Sequence, residues 1–541
     1  MVNAQIENVE SPRKAADTGP RLDVDALTIK LGGNVLRLAA PINLKAGRLY
    51  LLWGPSGSGK SSFARALLGL GELSVPRAAC EANAALHDAL GVEHTLWQGE
   101  SYNPAARRQV AFMPQADRLG FIDGLSTAEN LRLFSRLSAG DAKVRAENLA
   151  ARFHLMHLPA HPTSASGGER MRLSAVRALL PRAANEPPPA LVIADEPTAG
   201  LDALAARALA REIIDLARRG ESVVVVITHD PSAFTGEIPG SEHATRAVRV
   251  LECELGGDAP PREVGRLQLE PGRPENPIAR TVKARGGELL NLLGGAALSP
   301  LAFLFGLARI RRPGFLLKRV VGDCLNAGTH MFAWLGALLI AGTVAYFIFE
   351  QLPRPELVEP LLLTEILEVT GHTLVRVVLP LGTCALVTGK LGAAQAARTS
   401  AAVRSGLLET LALGRWAPES FALAPAVIAQ VLAMALSTAL ALVGGVVLAA
   451  LIYTAGHEGA SLGLALDLML GGLDKAAGWR EFLVAKVLLS GFAGGVLAAL
   501  FGLAPAMCEN DVAKSVHRTL LWGVLAVLAV QCALIIWEFS R

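Results

Sequence analysis

The sequence predicts two unlike halves: an N-terminal α/β P-loop domain, then an all-α transmembrane domain with about five spans and an interfacial helix. Three observations carry this. A glycine-rich loop, Gly54 to Ser61, stands between an apolar run (Leu49–Trp53) and a helix-prone run (Ser62–Leu70). Short β-rich runs, with Leu191–Ala194 and Val223–Thr228 beside Leu49–Trp53, alternate with charged, helix-prone segments, and continuous apolar strands suit a parallel sheet covered on both faces. Beyond residue 288 the apolar runs lengthen to 331–349, 373–389, 421–454, 483–505 and 519–538, each near or above the ~17–25 residues that cross a bilayer as a helix.

Composition agrees. Of 541 residues 52% are hydrophobic and 18% charged, which excludes a wholly disordered chain. A mean hydropathy of +0.39 argues against a purely soluble one. The net charge of +3 gives no footprint for nucleic acid, and none is expected as a partner. The six cysteines are scattered, without metal-ligand spacing, and read as reduced, mostly buried thiols. Met1 to Arg21 is polar and lacks the apolar stretch of a signal peptide, so the N-terminal half is expected in the cytosol.

In order, residues 1–20 read as a flexible tail, 21–255 as the α/β domain, 256–287 (rich in Gly, Pro and Arg) as a linker, and 288–541 as the transmembrane domain. Leu301 to Arg319, studded with basic residues, reads either as an interfacial helix meeting anionic headgroups or as a topological anchor. The run 421–454 would be about 51 Å long as one helix against an apolar slab of ~30 Å. It either projects beyond the membrane or splits near Gly444-Gly445. Lys and Arg gather at 309–319, at Lys390, Arg398, Arg404 and Arg415, and at Lys514 and Arg518, whereas the opposite loops carry mainly Arg354, Lys475 and Arg480. The bias puts the N-terminal domain and the 390–420 loop in the cytosol. Arg376, just inside the second run, either snorkels to the far interface or meets a headgroup, and Pro380 is expected to kink that span.

The loop Gly54-Pro55-Ser56-Gly57-Ser58-Gly59-Lys60-Ser61 fits G-x-x-x-x-G-K-[ST]. Its glycines let backbone N–H groups approach phosphates, Lys60 supplies a point charge for the β- and γ-phosphates, and the Ser61 hydroxyl suits Mg²⁺. Leu191-Val192-Ile193-Ala194-Asp195-Glu196 is an apolar strand ending in two acids: Asp195 to hold Mg²⁺, Glu196 to polarise an attacking water. His229 ends a third strand of the same sheet and reads as a γ-phosphate sensor. Ser166-Gly167-Gly168 opens a helix whose N-terminus suits a phosphate.

These residues resemble the ATP-binding domain of ABC transporters over roughly 21–255: Walker A at 54–61, the Q-loop Gln115, the signature at 165–169, Walker B at 191–196, the D-loop around Gly200-Leu201-Asp202, and the switch His229. The resemblance implies ATP and Mg²⁺ as cofactors. Nucleotide falls to Gly54, Pro55, Ser56, Gly57, Ser58, Gly59, Lys60, Ser61, Ser62, Gln115 and Asp202, with Ser166, Gly167 and Gly168 serving the facing copy. Metal falls to Ser61, Gln115 and Asp195, and catalysis to Glu196 and His229. One copy of each motif implies a half-transporter that acts as a homodimer. The signature's usual Leu is Ala165, and the first strand lacks the adenine-stacking aromatic in Thr28-Ile29-Lys30-Leu31-Gly32-Gly33.

Gly389 to Ala397, Val403 to Gly414, Pro418 and Pro425 resemble the MlaE permease family, the membrane part of Mla- and Mce-type lipid transporters, over about 290–541. In that family the segment matching Val403–Gly414 couples permease to ATPase, and Glu409 keeps an acid there. The two resemblances together imply an ATP-driven transporter of lipid, phospholipid above all, across or out of a bacterial inner membrane. The chain would be multi-pass with a cytoplasmic ATPase domain, and an Mce-type periplasmic lipid-binding protein is the implied partner. The alternative is a mechanical signalling ATPase that passes force to an envelope partner without moving substrate.

Overall fold

The computed structural model describes residues 19–31, 34–70, 79–122, 125–132, 135, 137–181, 183, 186–235, 247–253, 260–271, 294–295, 297–309, 313–351, 360–414, 416–457, 460–473, 478–506 and 508–540. The predicted tail thus lies almost wholly outside the described residues. The chain forms two compact units: Met1–Glu275 with Ser405–Glu409, and Asn276–Arg404 with Thr410–Arg541.

The first unit is built on one mixed sheet of twelve strands: β1 (Arg21–Leu31), β2 (Asn34–Leu38), β3 (Ile42–Lys45), β4 (Leu49–Trp53), β5 (Ala79–His87), β6 (Glu93–Gly99), β7 (Ser101–Tyr102), β8 (Val110–Met113), β9 (Leu191–Asp195), β10 (Val223–Thr228), β11 (Ala247–Cys253) and β12 (Arg262–Pro271). Their order is β7-β6-β5-β1-β2-β12-β11-β4-β10-β9-β8, with β3 on β1. The parallel sheet expected from the sequence is the block β4-β10-β9-β8 alone. Its strands are covered on both faces, hence their unbroken apolar runs. The remaining ladders are antiparallel, and there the pattern alternates. Along β1 the buried positions switch from Leu22 and Val24 to Leu27 and Ile29. A register irregularity at Val24/Ala26 accounts for the change of parity, since one extra residue turns every later side chain to the other face.

The predicted linker needs correction. Within 256–287, Arg262–Pro271 is a strand pairing β11 and β2, and the sheet closes across it. Val250 stands opposite Gly265, where a Cβ would run into the Ile42 side chain. Gly and Arg at 262–271 therefore mark an antiparallel strand, and the rest of the predicted linker, apart from residues 260 and 261, lies outside the described residues.

Among the described residues of the second unit, five helices are long and apolar enough to cross a membrane: Leu316–Glu350, Thr364–Arg404, Glu419–Gly456, Trp479–Gly502 and Glu509–Phe539. Leu335, Leu339, Val443, Leu525 and Ile536 are between 47% and 72% exposed on their outer faces, a surface suited to lipid. On the first span Thr329, Ala333, Ala337, Ala341 and Ala345, every fourth residue, are buried and let helices approach closely. The third helix is continuous, not split. A Cβ on Gly444 would meet the Trp334 Nε1 at 2.5 Å, so these glycines serve packing rather than a break. The second span also runs unbroken past Pro380: the Arg376 carbonyl, four residues back and out of reach of any proline N–H, accepts from Lys486 Nζ instead. Lys390 and Arg398 consequently lie within that helix rather than in a loop after it.

Arg376 neither snorkels nor stands free. Its Nε donates to Glu538 Oε1 at 2.7 Å, Lys486 pairs with the other oxygen of Glu538, and Lys486 Nζ donates to the Arg376 carbonyl at 2.6 Å. The Arg319 guanidinium, read as headgroup-facing, instead donates to the Phe421 carbonyl at 3.1 Å and stacks on its ring. The expectation of mostly buried thiols fails: Cys253 and Cys384 are buried, Cys80 and Cys324 are half-buried, and Cys508 and Cys532 are exposed.

Candidate nucleotide site

Strands β4, β8, β9 and β10 run the same way and end level: Trp53 is opposite Thr228, Ile227 opposite Asp195, and Ala194 opposite Met113. Gly54, Glu196, His229 and Gln115 follow these four ends, so the sheet gathers the motifs along one edge. Ligands bind at such carboxyl edges in open α/β sheets.

After β4 the loop turns through Gly57 at φ +76° and Gly59 at φ +99°, a left-handed region that side chains disfavour. It then enters the helix Lys60–Leu67. Lys60 is buried and bends back over the loop, its Nζ donating to Gly54 O at 2.8 Å and Pro55 O at 2.9 Å. Burial pulls its pKa below the usual lysine range, despite the nearby charges of Glu196 and Asp195. The ammonium is thus held ready by two weakly charged carbonyls that a phosphate would displace.

Ser61 Oγ donates to Asp195 Oδ1 at 2.9 Å. Asp195 is fully buried, and its Oδ2 has no hydrogen bond. Burial pushes its carboxyl above the usual range; Arg65 and the Ser61 bond oppose this without cancelling it. A hydroxyl and a buried carboxylate with an unused oxygen form a donor set of hard oxygens, which fits Mg²⁺. Glu196 follows at φ +51°, a left-handed non-glycine residue of the kind that clusters at functional sites. Its own N–H donates to Ile227 O at 2.9 Å, which anchors the turn. Its Oε2 lies 2.5 Å from His229 Nδ1. The two candidate catalytic groups therefore touch.

Ser166 caps the helix Gly167–Leu179: its hydroxyl accepts from Glu169 N–H, and the Glu169 carboxylate accepts from Ser166 N–H at 2.8 Å. Ala165, in place of the expected Leu, is buried and packs rather than binds. Among the described residues no hydrogen bond or ion pair joins Ser166, Gly167 or Gly168 to residues 54–62. Asp202 caps the helix Ala203–Arg218, accepting from Leu204 N–H at 3.0 Å and Ala205 N–H at 2.9 Å. Gln115 is half-buried at the turn after β8. Buried Arg177, on the signature helix, ties that helix to the segment after Gln115 through the Leu119 and Gly120 carbonyls. Leu31 ends β1 half-buried, while Gly32 and Gly33 lie outside the described residues.

Two basic residues were missed by sequence reasoning. Arg65 is 3.8 Å from Asp195 Oδ2 and 3.4 Å from Glu409 Oε1, and Arg118 is 3.6 Å from the same Glu409 oxygen. Glu409 belongs to the short segment Ser405–Glu409 of this unit and is buried. A signal for Arg65 was present: it follows Ser61 by four residues, and i and i+4 share a helix face.

Residues 40–199 match the family model for the ABC transporter, and residues 326–537 match that for the permease MlaE. An uncharacterised ABC transporter ATP-binding protein of Mycobacterium tuberculosis is 37% identical over 205 residues, 37% of this chain and 57% of that protein. The hemin import ATP-binding protein HmuV of Pseudomonas aeruginosa is 34% identical over 215 residues, 39% of this chain and 77% of that protein. The lipoprotein-releasing system ATP-binding protein LolD of Idiomarina loihiensis is 30% identical over 205 residues, 37% of this chain and 82% of that protein. The chain thus spans little more than half the length of the first of these relatives. It belongs to the ABC transporter family, with an ATPase cassette followed in the same polypeptide by an MlaE permease domain.

Proposed function

We propose that this protein is an ATP-driven lipid transporter of a bacterial inner membrane, working as a homodimer with its cassette in the cytoplasm and phospholipid as its substrate. The observation that carries the reading is the half-built site. One chain supplies a P-loop, a Ser61–Asp195 pair and a Glu196–His229 pair, and its own signature Ser166 makes no bond to that P-loop. A second copy would supply the facing signature. Gly54 to Ser62 would cradle the phosphates, with Lys60 moving from two carbonyls to phosphate oxygens. Ser61, Asp195 and Gln115 would hold Mg²⁺, which supplies neutralisation of phosphate charge. Glu196 would accept a proton from the attacking water, and His229, at 2.5 Å, would orient that carboxylate toward the γ-phosphate. Asp202 would hold the turn that presents the signature's neighbour, Leu201.

The MlaE match and the apolar outer faces of the spans support a substrate with acyl chains. Ser405–Glu409, bound to Arg65 and Arg118, is the element suited to pass closure of the cassettes onward. An Mce-type lipid-binding protein is the partner this reading implies. The test is reconstitution in vesicles with labelled phospholipid, beside a mass measurement in detergent. Lipid movement that requires ATP, from a particle of twice the chain mass, is expected. Hydrolysis without lipid movement, with a lipid-binding partner added, would replace transport by a force-transmitting role, and full hydrolysis by a single-copy particle would remove the shared site.

A further inference from the structure

At the opposite end of β8, β9 and β10 from the nucleotide site, the first unit holds a cavity of about 370 Å³. Its walls include Val110 at the start of β8, Pro189 just before β9 and Ser222 just before β10. Volumes of roughly 300–1,000 Å³ are typical of small-molecule sites. Its lining divides in two. Leu149, Leu179, Leu216 and Pro187 to Pro189 give an apolar side. Arg108, Arg145, Arg152 and Arg219 give a basic side, against Glu186 and Glu221 among the described residues.

The basic side is not explained by the fold. Arg152 and Arg219 lie at the C-terminal ends of the helices Ala139–Arg152 and Ala203–Arg218, where the helix dipole favours positive charge. That effect does not require Arg152 Nε to be withdrawn from water, yet the atom is buried and has no hydrogen bond. Burial and the like charge of Arg219 both work against the charged form of Arg152, and Glu212 and Glu221 do not offset them. Two guanidinium groups that repel one another beside an apolar wall form a receptor for a planar or tetrahedral anion, because arginine forks bind carboxylate and phosphate in pairs of hydrogen bonds.

We propose that this cavity binds a small molecule with a phosphate or carboxylate joined to an apolar body, the anion between Arg152 and Arg219 and the body against Leu149, Leu216 and the proline run. The strands β9 and β10 separate it from the phosphate site by about 17–20 Å at ~3.3 Å per residue, so such a ligand would not compete with nucleotide.

The test uses the full chain in detergent, saturated with Mg-ADP so that the P-loop is filled, and titrates three probes by calorimetry: phenyl phosphate, inorganic phosphate and benzyl alcohol. Phenyl phosphate is expected to bind saturably, about tenfold or more tighter than either other probe. The Arg152→Met/Arg219→Met variant should lose at least about tenfold of that affinity with basal hydrolysis unchanged. If that variant does not fold, Arg108→Gln at the exposed rim should weaken phenyl phosphate several-fold. Equal affinity for inorganic phosphate would overturn the apolar half of the site. Binding that no arginine variant alters, or that Mg-ADP abolishes, would overturn the site itself.

Discussion

Asp195 in the first unit and Glu538 in the second are both carboxylates with at most 1% of the side chain exposed, yet they are finished in opposite ways. Glu538 spends both oxygens, one on Arg376 and one on Lys486. Asp195 spends one on Ser61 and keeps the other without a hydrogen bond, with Arg65 no nearer than 3.8 Å. A buried charge that is saturated by its own chain fastens helices together. A buried charge left open at a cost is a place prepared for something else. The pairing state of a buried acid thus separates scaffold from site better than burial does.

The largest effects test that contrast directly. Asp195→Asn should leave stability unchanged or higher, since burial already disfavours its charge, while Mg²⁺-dependent turnover collapses; a loss of stability comparable to that of Glu538 variants would erase the distinction. Its neighbour gives the cleaner kinetic reading: Glu196→Gln should keep ATP binding and lower turnover about 10²–10⁴-fold, as for loss of a general base. Phosphate release beside nucleotide binding measures both, and near-normal hydrolysis would take Glu196 out of the chemistry.

Glu538→Gln should cost about 3–5 kcal/mol, because two cations then stand buried with one neutral partner. Replacing Arg376, Lys486 and Glu538 together by Met, Met and Leu should recover most of it. Thermal unfolding in one detergent checks the pair, and an equal loss in both variants would make the cluster more than a fastening. Glu409→Gln strips Arg65 and Arg118 of their shared acid. Lipid movement per ATP should fall about 5–150-fold, the range of a 1–3 kcal/mol coupling, with hydrolysis retained. Parallel loss of both activities would make Glu409 part of the catalytic site. Smallest of all, Asp202→Ala should cost about 1 kcal/mol through loss of two helix-capping bonds, visible as a modest drop in unfolding temperature.

Much of this site was legible because its residues are contiguous. Gly54 to Ser61, Asp195 with Glu196, and Ser166 to Gly168 are each contiguous, the first written in glycine after an apolar strand, the second in the apolar strand that it ends, the third in a serine cap followed by two glycines. Arg118 was not read, since its partner Glu409 is distant in sequence, whereas Arg65 was missed although its spacing from Ser61 places both on one helix face. Strand β12 was missed for a related reason. A strand's Gly265 and its arginines resemble a linker until β11 and β2 stand on either side, and only there does a glycine opposite Val250 become a close-packed position.

The five long apolar runs, the P-loop and the acids at the strand end were determined by the sequence alone, because hydropathy and tight turns are local properties. Tertiary structure decided which charges were spent. Whether Arg376 met lipid, water or Glu538, and whether Asp195 kept a free oxygen, depended on groups brought from 162 and 134 residues away along the chain, and local pattern carries no information about partners at that separation.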